Sequence, residues 1–155
     1  MTARGLSLAA VVAVWTAISH FGKLPLQLWP VIVGVGCFVA AGGGIPGLQK
    51  SVAGTVSGVI WAMIFVMVAG ALGRQELMAA LVLGAVMFGI VYQARLPLLS
   101  YTAGAIAGAG VTLGVLGMRI VTMQGGLRVA IALALGGVLG YAAEWVEGRM
   151  MRSRV

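Results

Sequence analysis

Six apolar stretches follow one another along the chain, and short segments rich in glycine, proline or charge separate them. None of the six has a charged residue at its centre. Such stretches approach the ~20 apolar residues that an α-helix needs to cross the hydrocarbon core of a bilayer. The pattern predicts transmembrane helices over residues 6–21, 26–41, 52–72, 77–92, 98–117 and 128–145.

The lengths of the stretches leave the number of crossings open. Several hold only roughly 16 residues, which is short for a full crossing, so a five-helix arrangement with the first two segments partly re-entrant stays an alternative. The break at Gly42–Gly47 combines a run of glycines with Pro46, which cannot continue a helix. We interpret this break as a cytoplasmic loop. The alternative is a segment that folds back into the membrane and lines a cavity.

Composition agrees with a membrane location. Of the 155 residues, 61% are hydrophobic and 8% are charged, and the mean hydropathy is +1.10. A soluble globular domain carries about 25% charged residues, so the lipid bilayer is the expected surrounding of this chain. The sequence therefore predicts an all-α fold, a polytopic transmembrane helical bundle that forms a single domain over residues 1–155.

The net charge of +7 comes from basic residues that are scattered among the loops. They form no basic patch, so we expect no nucleic-acid partner. With six helices, one side of the membrane holds Arg4, Lys50, Arg95, Arg149, Arg152 and Arg154. The other side holds Lys23, Arg74, Arg119 and Arg128. The positive-inside rule then predicts that both termini are cytoplasmic.

The reactive residues are too few for common catalytic sets. The chain has no aspartate, one histidine (His20) and one cysteine (Cys37). A serine nucleophile needs a neighbouring base, and a metal site needs several ligands at suitable spacing. The sequence therefore predicts no enzyme, no cofactor and no metal site.

His20 and Glu144 are the titratable residues closest to the apolar stretches. An ionisable group inside a membrane is a functional hypothesis by default. Because both residues lie at helix ends, an interfacial position is the alternative. The lack of a carboxylate at the centre of any stretch disfavours a proton-coupled carrier.

Glycine is the most informative residue type, with 25 copies, many of them four positions apart. In lipid, small residues let helix backbones approach closely, and this approach supplies the attraction between helices. We predict packing within the bundle, between copies of a homo-oligomer, or both. The predicted packing positions are Gly54, Gly58, Gly104, Gly108, Gly110, Gly114, Gly136 and Gly140.

A weak internal repeat appears at an offset of 50 residues. The first copy contains Gly34, Phe38, Leu48, Ala53, Gly54 and Gly58, and the second contains Gly84, Phe88, Leu98, Ala103, Gly104 and Gly108. A third copy is indicated by the likeness of residues 133–136 to residues 81–84. The pattern indicates three repeated helical hairpins, and compositional bias is the alternative.

Neutral hydroxyl groups cluster near the starts of the third and fifth helices. The residues concerned are Ser51, Thr55, Ser57, Ser100, Tyr101 and Thr102. Hydroxyl groups along a helix face are suited to hydrogen bonding with a small uncharged solute. They are equally suited to bonds between helices, so both interpretations stay open.

Four motifs resemble the YcdZ-like family of small bacterial inner-membrane proteins. They are Gly43-Gly44-Ile45-Pro46-Gly47-Leu48, Ser57-Gly58-Val59-Ile60-Trp61-Ala62-Met63, Gln93-Ala94-Arg95 with Leu98-Leu99-Ser100, and Ala134-Leu135-Gly136 with Gly140-Tyr141-Ala142. The resemblance implies a polytopic protein of the bacterial inner membrane. It brings no catalytic or binding residues with it.

These features favour an oligomeric channel or facilitator for a small neutral solute, because polar but uncharged faces lie within a glycine-rich bundle. The alternative is a non-transporting accessory or structural protein that docks partner helices through its glycine-rich faces.

Overall fold

The computed structural model describes residues 2–21, 28–73, 75–117 and 122–152. Within these ranges the chain forms six α-helices and one short 3-10 helix, and no strand. The α-helices are α1 (Thr2–Phe21), α2 (Leu28–Ala40), α3 (Gly44–Ala71), α4 (Glu76–Gln93), α5 (Thr102–Leu116) and α6 (Met123–Arg152). The predicted all-α bundle of six helices is therefore confirmed.

Several helix starts differ from the prediction, and α1 and α6 begin earlier, at Thr2 and Met123 rather than at residues 6 and 128. The break at Gly42–Gly47 is shorter than expected, because α3 begins at Gly44 and only the preceding turn is irregular. Proline fits this start, since a backbone N–H in the first turn of a helix has no partner to lose. Gly42 and Gly43 make the turn with φ of 98° and 72°, which favours glycine. The fifth helix begins at Thr102 rather than at residue 98, after the 3-10 helix Pro97–Leu99.

The helices differ in length. Gly44–Ala71, Glu76–Gln93 and Met123–Met150 are long and apolar enough to cross a membrane, whereas Gly5–Phe21, Leu28–Ala40 and Thr102–Leu116 are shorter apolar helices. At 1.5 Å per residue, the 28 residues of α3 extend about 42 Å, which exceeds the ~30 Å hydrocarbon core. The 13 residues of α2 extend only about 20 Å. The short helices therefore pack along parts of longer ones.

Helices α3 and α5 form one of the two most extensive contacts in the fold. A Cβ atom added at Gly58 would overlap the carbonyl oxygen of Ala105, and one added at Gly108 would overlap the carbonyl oxygen of Thr55. Each glycine therefore contacts the carbonyl group of the residue that lies three positions before the glycine of the facing helix. Gly54 lies opposite Tyr101 in the same way. Because contact positions advance together along both helices, α3 and α5 run parallel.

Helices α2 and α6 repeat this arrangement. Added Cβ atoms at Gly34 and Gly136 would overlap the carbonyl oxygens of Leu133 and Val31, respectively. One turn further along, the ring of Phe38 lies against Gly140. This pair is therefore also parallel and reciprocal, and both pairs depend on positions that have no side chain.

The predicted packing glycines occupy three environments. Five lie where another helix comes close: Gly54, Gly58, Gly108, Gly136 and Gly140. Gly104 lies against the ring of Tyr101 and Gly114 near the ring of Trp29. No described atom lies within 4 Å of a Cβ atom built at Gly110.

Four helices form the centre of the bundle, and the other two lie at its edge. Helix α3 packs against both α5 and α6, while α1 packs mainly against α6. Helix α4 contacts α3 and, less extensively, α5. Only 11% of the apolar span of α4 is buried, against 44% of that of α3. The faces of α4 that point away from α3 are therefore free to meet lipid or another protein.

Replacement of Gly108 by leucine tests the close approach of α3 and α5. The new side chain meets the Thr55 backbone, so we expect a loss of about 1–3 kcal/mol and a lower unfolding temperature in detergent. The matched control is Gly110→Leu, where the side chain meets open space. Equal unfolding temperatures for the two variants, measured by thermal scanning, contradict the contact.

Candidate functional site

A chain of polar side chains joins α3 to the end of α4. Ser57 and Trp61 lie four residues apart on one face of α3. Gln93 donates from Nε2 to the Ser57 hydroxyl at 3.0 Å and accepts at Oε1 from the Trp61 indole N–H at 2.9 Å. The Ser57 hydroxyl donates in turn to the Gly54 carbonyl at 2.8 Å. We call these three side chains the Ser57–Gln93–Trp61 cluster.

The cluster is held in place by packing as well as by hydrogen bonds. A Cβ atom added at Gly89 would overlap the Trp61 ring, so this glycine lets the ring lie against α4. All three hydrogen bonds are partly buried. In a medium of low polarity such bonds gain strength, and an amide that loses its partners is costly there. The cluster therefore fixes α4 against α3 at the Gln93 end.

An open groove of about 770 Å³ runs beside the cluster, between α3 and the 3-10 helix Pro97–Leu99. Its volume lies in the range of small-molecule sites, which are mostly apolar with few polar groups. None of its lining residues is charged, and the Ser57 hydroxyl joins the groove to the cluster. The lining residues are Leu48, Gln49, Val52, Ala53, Val56, Ser57, Ile60, Leu98 and Leu99.

A second groove, of about 460 Å³, lies further along α3 and reaches the start of α6. The two grooves share Val56 and Ile60 in their walls. The second one extends to Met63 on α3 and to Leu127 on α6. One face of α3 is therefore open over several turns, on the outside of the bundle.

The six hydroxyl-bearing candidates do not converge on one place. Ser57 lines the larger groove, whereas Ser51 and Thr55 are buried in the bundle. The Thr55 hydroxyl donates to the Ser51 carbonyl of its own helix at 2.9 Å. Among these candidates, only Ser57 combines a place in the groove wall with a hydrogen bond to another helix.

The other three hydroxyl-bearing candidates lie at the start of α5. The exposed Ser100 hydroxyl donates to the Pro97 carbonyl at 2.8 Å. The Tyr101 side chain lies beside the thiol of Cys37. Thr102 is the first residue of α5. These residues lie in the turn into α5, and Tyr101 also lies next to Cys37 of α2.

The two titratable candidates have different surroundings. Glu144, on α6, accepts a hydrogen bond at Oε2 from the Gly44 backbone N–H at 2.7 Å. Gly44 is the first residue of α3, so this carboxylate satisfies a free N–H at a helix start, where the helix dipole favours negative charge. His20 lies in the last turn of α1, is exposed, and contacts Phe21 edge-on with ring centroids 5.9 Å apart.

Sequence reasoning missed Gln93 and Trp61 as parts of a site. Gln93 follows one apolar stretch directly, a position typical of a polar turn residue. Trp61 lies in the middle of another apolar stretch, where a tryptophan does not by itself indicate a site. A usable signal existed in Gln93. A carboxamide in the last turn of a transmembrane helix needs partners from a neighbouring helix.

Comparison with known proteins gives a family and two relatives. A family model described as protein of unknown function (DUF1097) matches residues 5–148. The chain is 30% identical over 145 residues to the inner membrane protein YcdZ of Escherichia coli (strain K12), covering 90% of this chain and 82% of that protein. It is 29% identical over 152 residues to the inner membrane protein YcdZ of Salmonella typhimurium (strain LT2), covering 93% and 90%. No solved structure matches the chain. These matches confirm the resemblance and support an inner-membrane location.

Replacement of Gln93 by leucine tests the Ser57–Gln93–Trp61 cluster. The variant leaves the Trp61 N–H without its acceptor, so we expect a loss of about 1–3 kcal/mol in detergent. Gln75→Leu is the matched control because Gln75 is exposed. If a thermal scan gives both variants the unfolding temperature of the wild type, the cluster does not stabilise the protein.

Replacement of Glu144 by alanine tests the contact with Gly44. Without the carboxylate, the Gly44 N–H loses its acceptor, so we expect the amides around Gly43 and Gly44 to exchange hydrogen faster. Hydrogen–deuterium exchange of the wild type and the variant measures this change. Glu147→Ala provides the comparison from the same helix, and equal exchange in both variants counts against the contact.

Proposed function

The chain belongs to the DUF1097 family and is an integral protein of the inner membrane, and we propose that it works there as an oligomeric facilitator for a small neutral solute. The observation that carries the proposal is the groove beside the Ser57–Gln93–Trp61 cluster. The proposal gives the protein no catalytic activity.

The chemistry of the groove sets the solute class. Its walls are apolar apart from the side chains of Ser57 and Gln49, and they carry no charge. An ion entering such a groove loses hydration that two neutral polar side chains do not replace. A small uncharged molecule loses less and gains hydrogen bonds to the serine hydroxyl and the glutamine carboxamide. A mostly apolar solute with one or two hydrogen-bonding groups is therefore favoured.

The position of the groove indicates where a path would lie. Backbone contacts fill the space between α3 and α5 and between α2 and α6, so neither pair leaves room for a solute between its helices. The groove lies on the outside of the bundle, along α3. A second copy that covers this face would convert the open groove into a closed path, which is why the proposal includes an oligomer.

The proposed orientation places both termini in the cytoplasm. Six crossings would return the chain to the side where it began; Arg95 lies in a connection on that side, and Lys50 lies near the start of α3 at the same end. The positive-inside rule favours this orientation over its reverse.

A second candidate is a non-transporting accessory protein. The closed interior favours it, because buried hydroxyls such as those of Thr55 and Thr112 bond to carbonyls of their own helices. In that case the apolar outer faces bind the helices of another protein. Affinity purification from native membranes separates the candidates, since a stoichiometric second protein favours the accessory role and a homo-oligomer favours the facilitator.

Solute flux into liposomes that contain the purified protein tests the facilitator. We expect faster uptake of small neutral solutes such as glycerol and urea, measured by stopped-flow light scattering, and no faster uptake of acetate. Ile60→Trp fills the wall that both grooves share, so its flux should fall to that of protein-free liposomes. Val68→Trp is the matched control, since Val68 is exposed on the same helix and outside both groove walls.

Two results contradict the facilitator. One is wild-type uptake no faster than that of empty liposomes for every neutral solute. The other is unchanged flux through the Ile60→Trp variant, which would exclude the groove as the path.

A further inference from the structure

Helix α4 presents an apolar face that nothing in the described chain covers. Its residues recur at helical spacing and are strongly exposed: Leu77, Leu81, Phe88 and Val91, with Gly84 at the centre. The opposite face of α4 carries Val86, Gly89 and Ile90, which pack toward α3. No described atom lies within 4 Å of a Cβ atom built at Gly84. A backbone position suited to close helix packing is therefore open on the surface.

The equivalent face of α2 is covered. At the repeat offset of 50, Gly84 corresponds to Gly34 and Phe88 to Phe38. Gly34 rests on the Leu133 carbonyl of α6, and Phe38 is 1% exposed, whereas Phe88 is 71% exposed. A glycine and a phenylalanine four residues apart thus lie in a helix contact on α2 and are exposed 50 residues later on α4.

The two contacts within the chain show how such a face is covered. Each joins helices that the predicted repeat makes equivalent, α3 with α5 and α2 with α6, and each is parallel and reciprocal. Within this pattern α4 has no equivalent helix left in its own chain, because α2 and α6 pair with each other. The remaining helix that is equivalent to α4 is therefore α4 of a second copy of the chain.

The geometry points to a homodimer in which the outer faces of two α4 helices meet, with Gly84 of each copy resting on the Leu81 carbonyl of the other. Two copies that share one orientation in the membrane are related by a two-fold axis along the membrane normal. That axis makes α4 and its partner parallel, as in both pairs within the chain. The Phe88 rings then face each other where the crossing helices diverge.

The exposed face of α4 is long enough for a helix pair. In lipid, helices associate where small residues let their backbones approach closely. The α4 face runs from Leu77 to Val91, about 21 Å along the helix axis. The length of this face is therefore comparable with that of a short transmembrane helix. This inference does not rest on solute transport, and its test needs no flux measurement.

Cysteine cross-linking in native membranes tests the dimer. In a Cys37→Ala background, Leu81→Cys should form a disulfide-linked dimer on mild oxidation, and Leu83→Cys, on a different side of α4, should not. Adding Gly84→Ile to Leu81→Cys should lower the cross-linked fraction about tenfold, because the side chain prevents close approach. Gly36→Ile is the matched control, since Gly36 on α2 also has open space around it.

Photobleaching of single labelled particles in liposomes gives the copy number without cysteine chemistry. A copy number that is halved by Gly84→Ile, and that is the same for the wild type and the Gly36→Ile variant, supports the α4 interface. Cross-linking at residue 81 no stronger than at residue 83 overturns the inference. So does a dimer that survives Gly84→Ile, or a wild-type protein that is monomeric because lipid alone covers α4.

Discussion

Two leucine-rich helices gain little by leaving lipid for each other, because lipid tails are as apolar as leucine. Their association depends on how closely the two backbones approach, and any side chain at the crossing point limits that distance. In this protein the crossings lie at Gly58 and Gly108 between α3 and α5, and at Gly34 and Gly136 between α2 and α6. The two edge helices then attach to this four-helix centre, α1 along α6 and α4 along α3.

Close backbone packing also decides where polar chemistry is located. Between touching backbones a side chain has no room to reach across, so the Thr55 and Thr112 hydroxyls bond to carbonyls in their own helices at 2.9 and 2.7 Å. Gln93 lies where a peripheral helix meets the centre, and there its carboxamide can span from Ser57 to Trp61. The groove on the outside of the bundle therefore has the Ser57 hydroxyl in a mostly apolar wall, in the region where lipid, solute or a second copy would be met.

Much of this architecture could be predicted from the sequence. Hydropathy predicted six helices, because lipid requires long apolar helical segments, and the glycine spacing indicated close packing. The start of α3 was predicted too late, because glycine and Pro46 resemble a helix break even where the first turn accepts them. Contacts between distant segments could not be predicted. The hydrogen bond from Gly44 to Glu144 joins residues 100 positions apart, and no local pattern shows that they meet.

The central claim is that glycine brings parallel helix backbones into direct contact, and an experimental structure in lipid nanodiscs tests it most directly. The quantity to measure is the separation of the helix axes at the Gly58–Gly108 and Gly34–Gly136 crossings. Helices packed through side chains lie ~8–10 Å apart. The account predicts axes closer than the lower end of that range, with each glycine Cα against the facing carbonyl. Side chains interposed at either crossing, or antiparallel helices there, would contradict it.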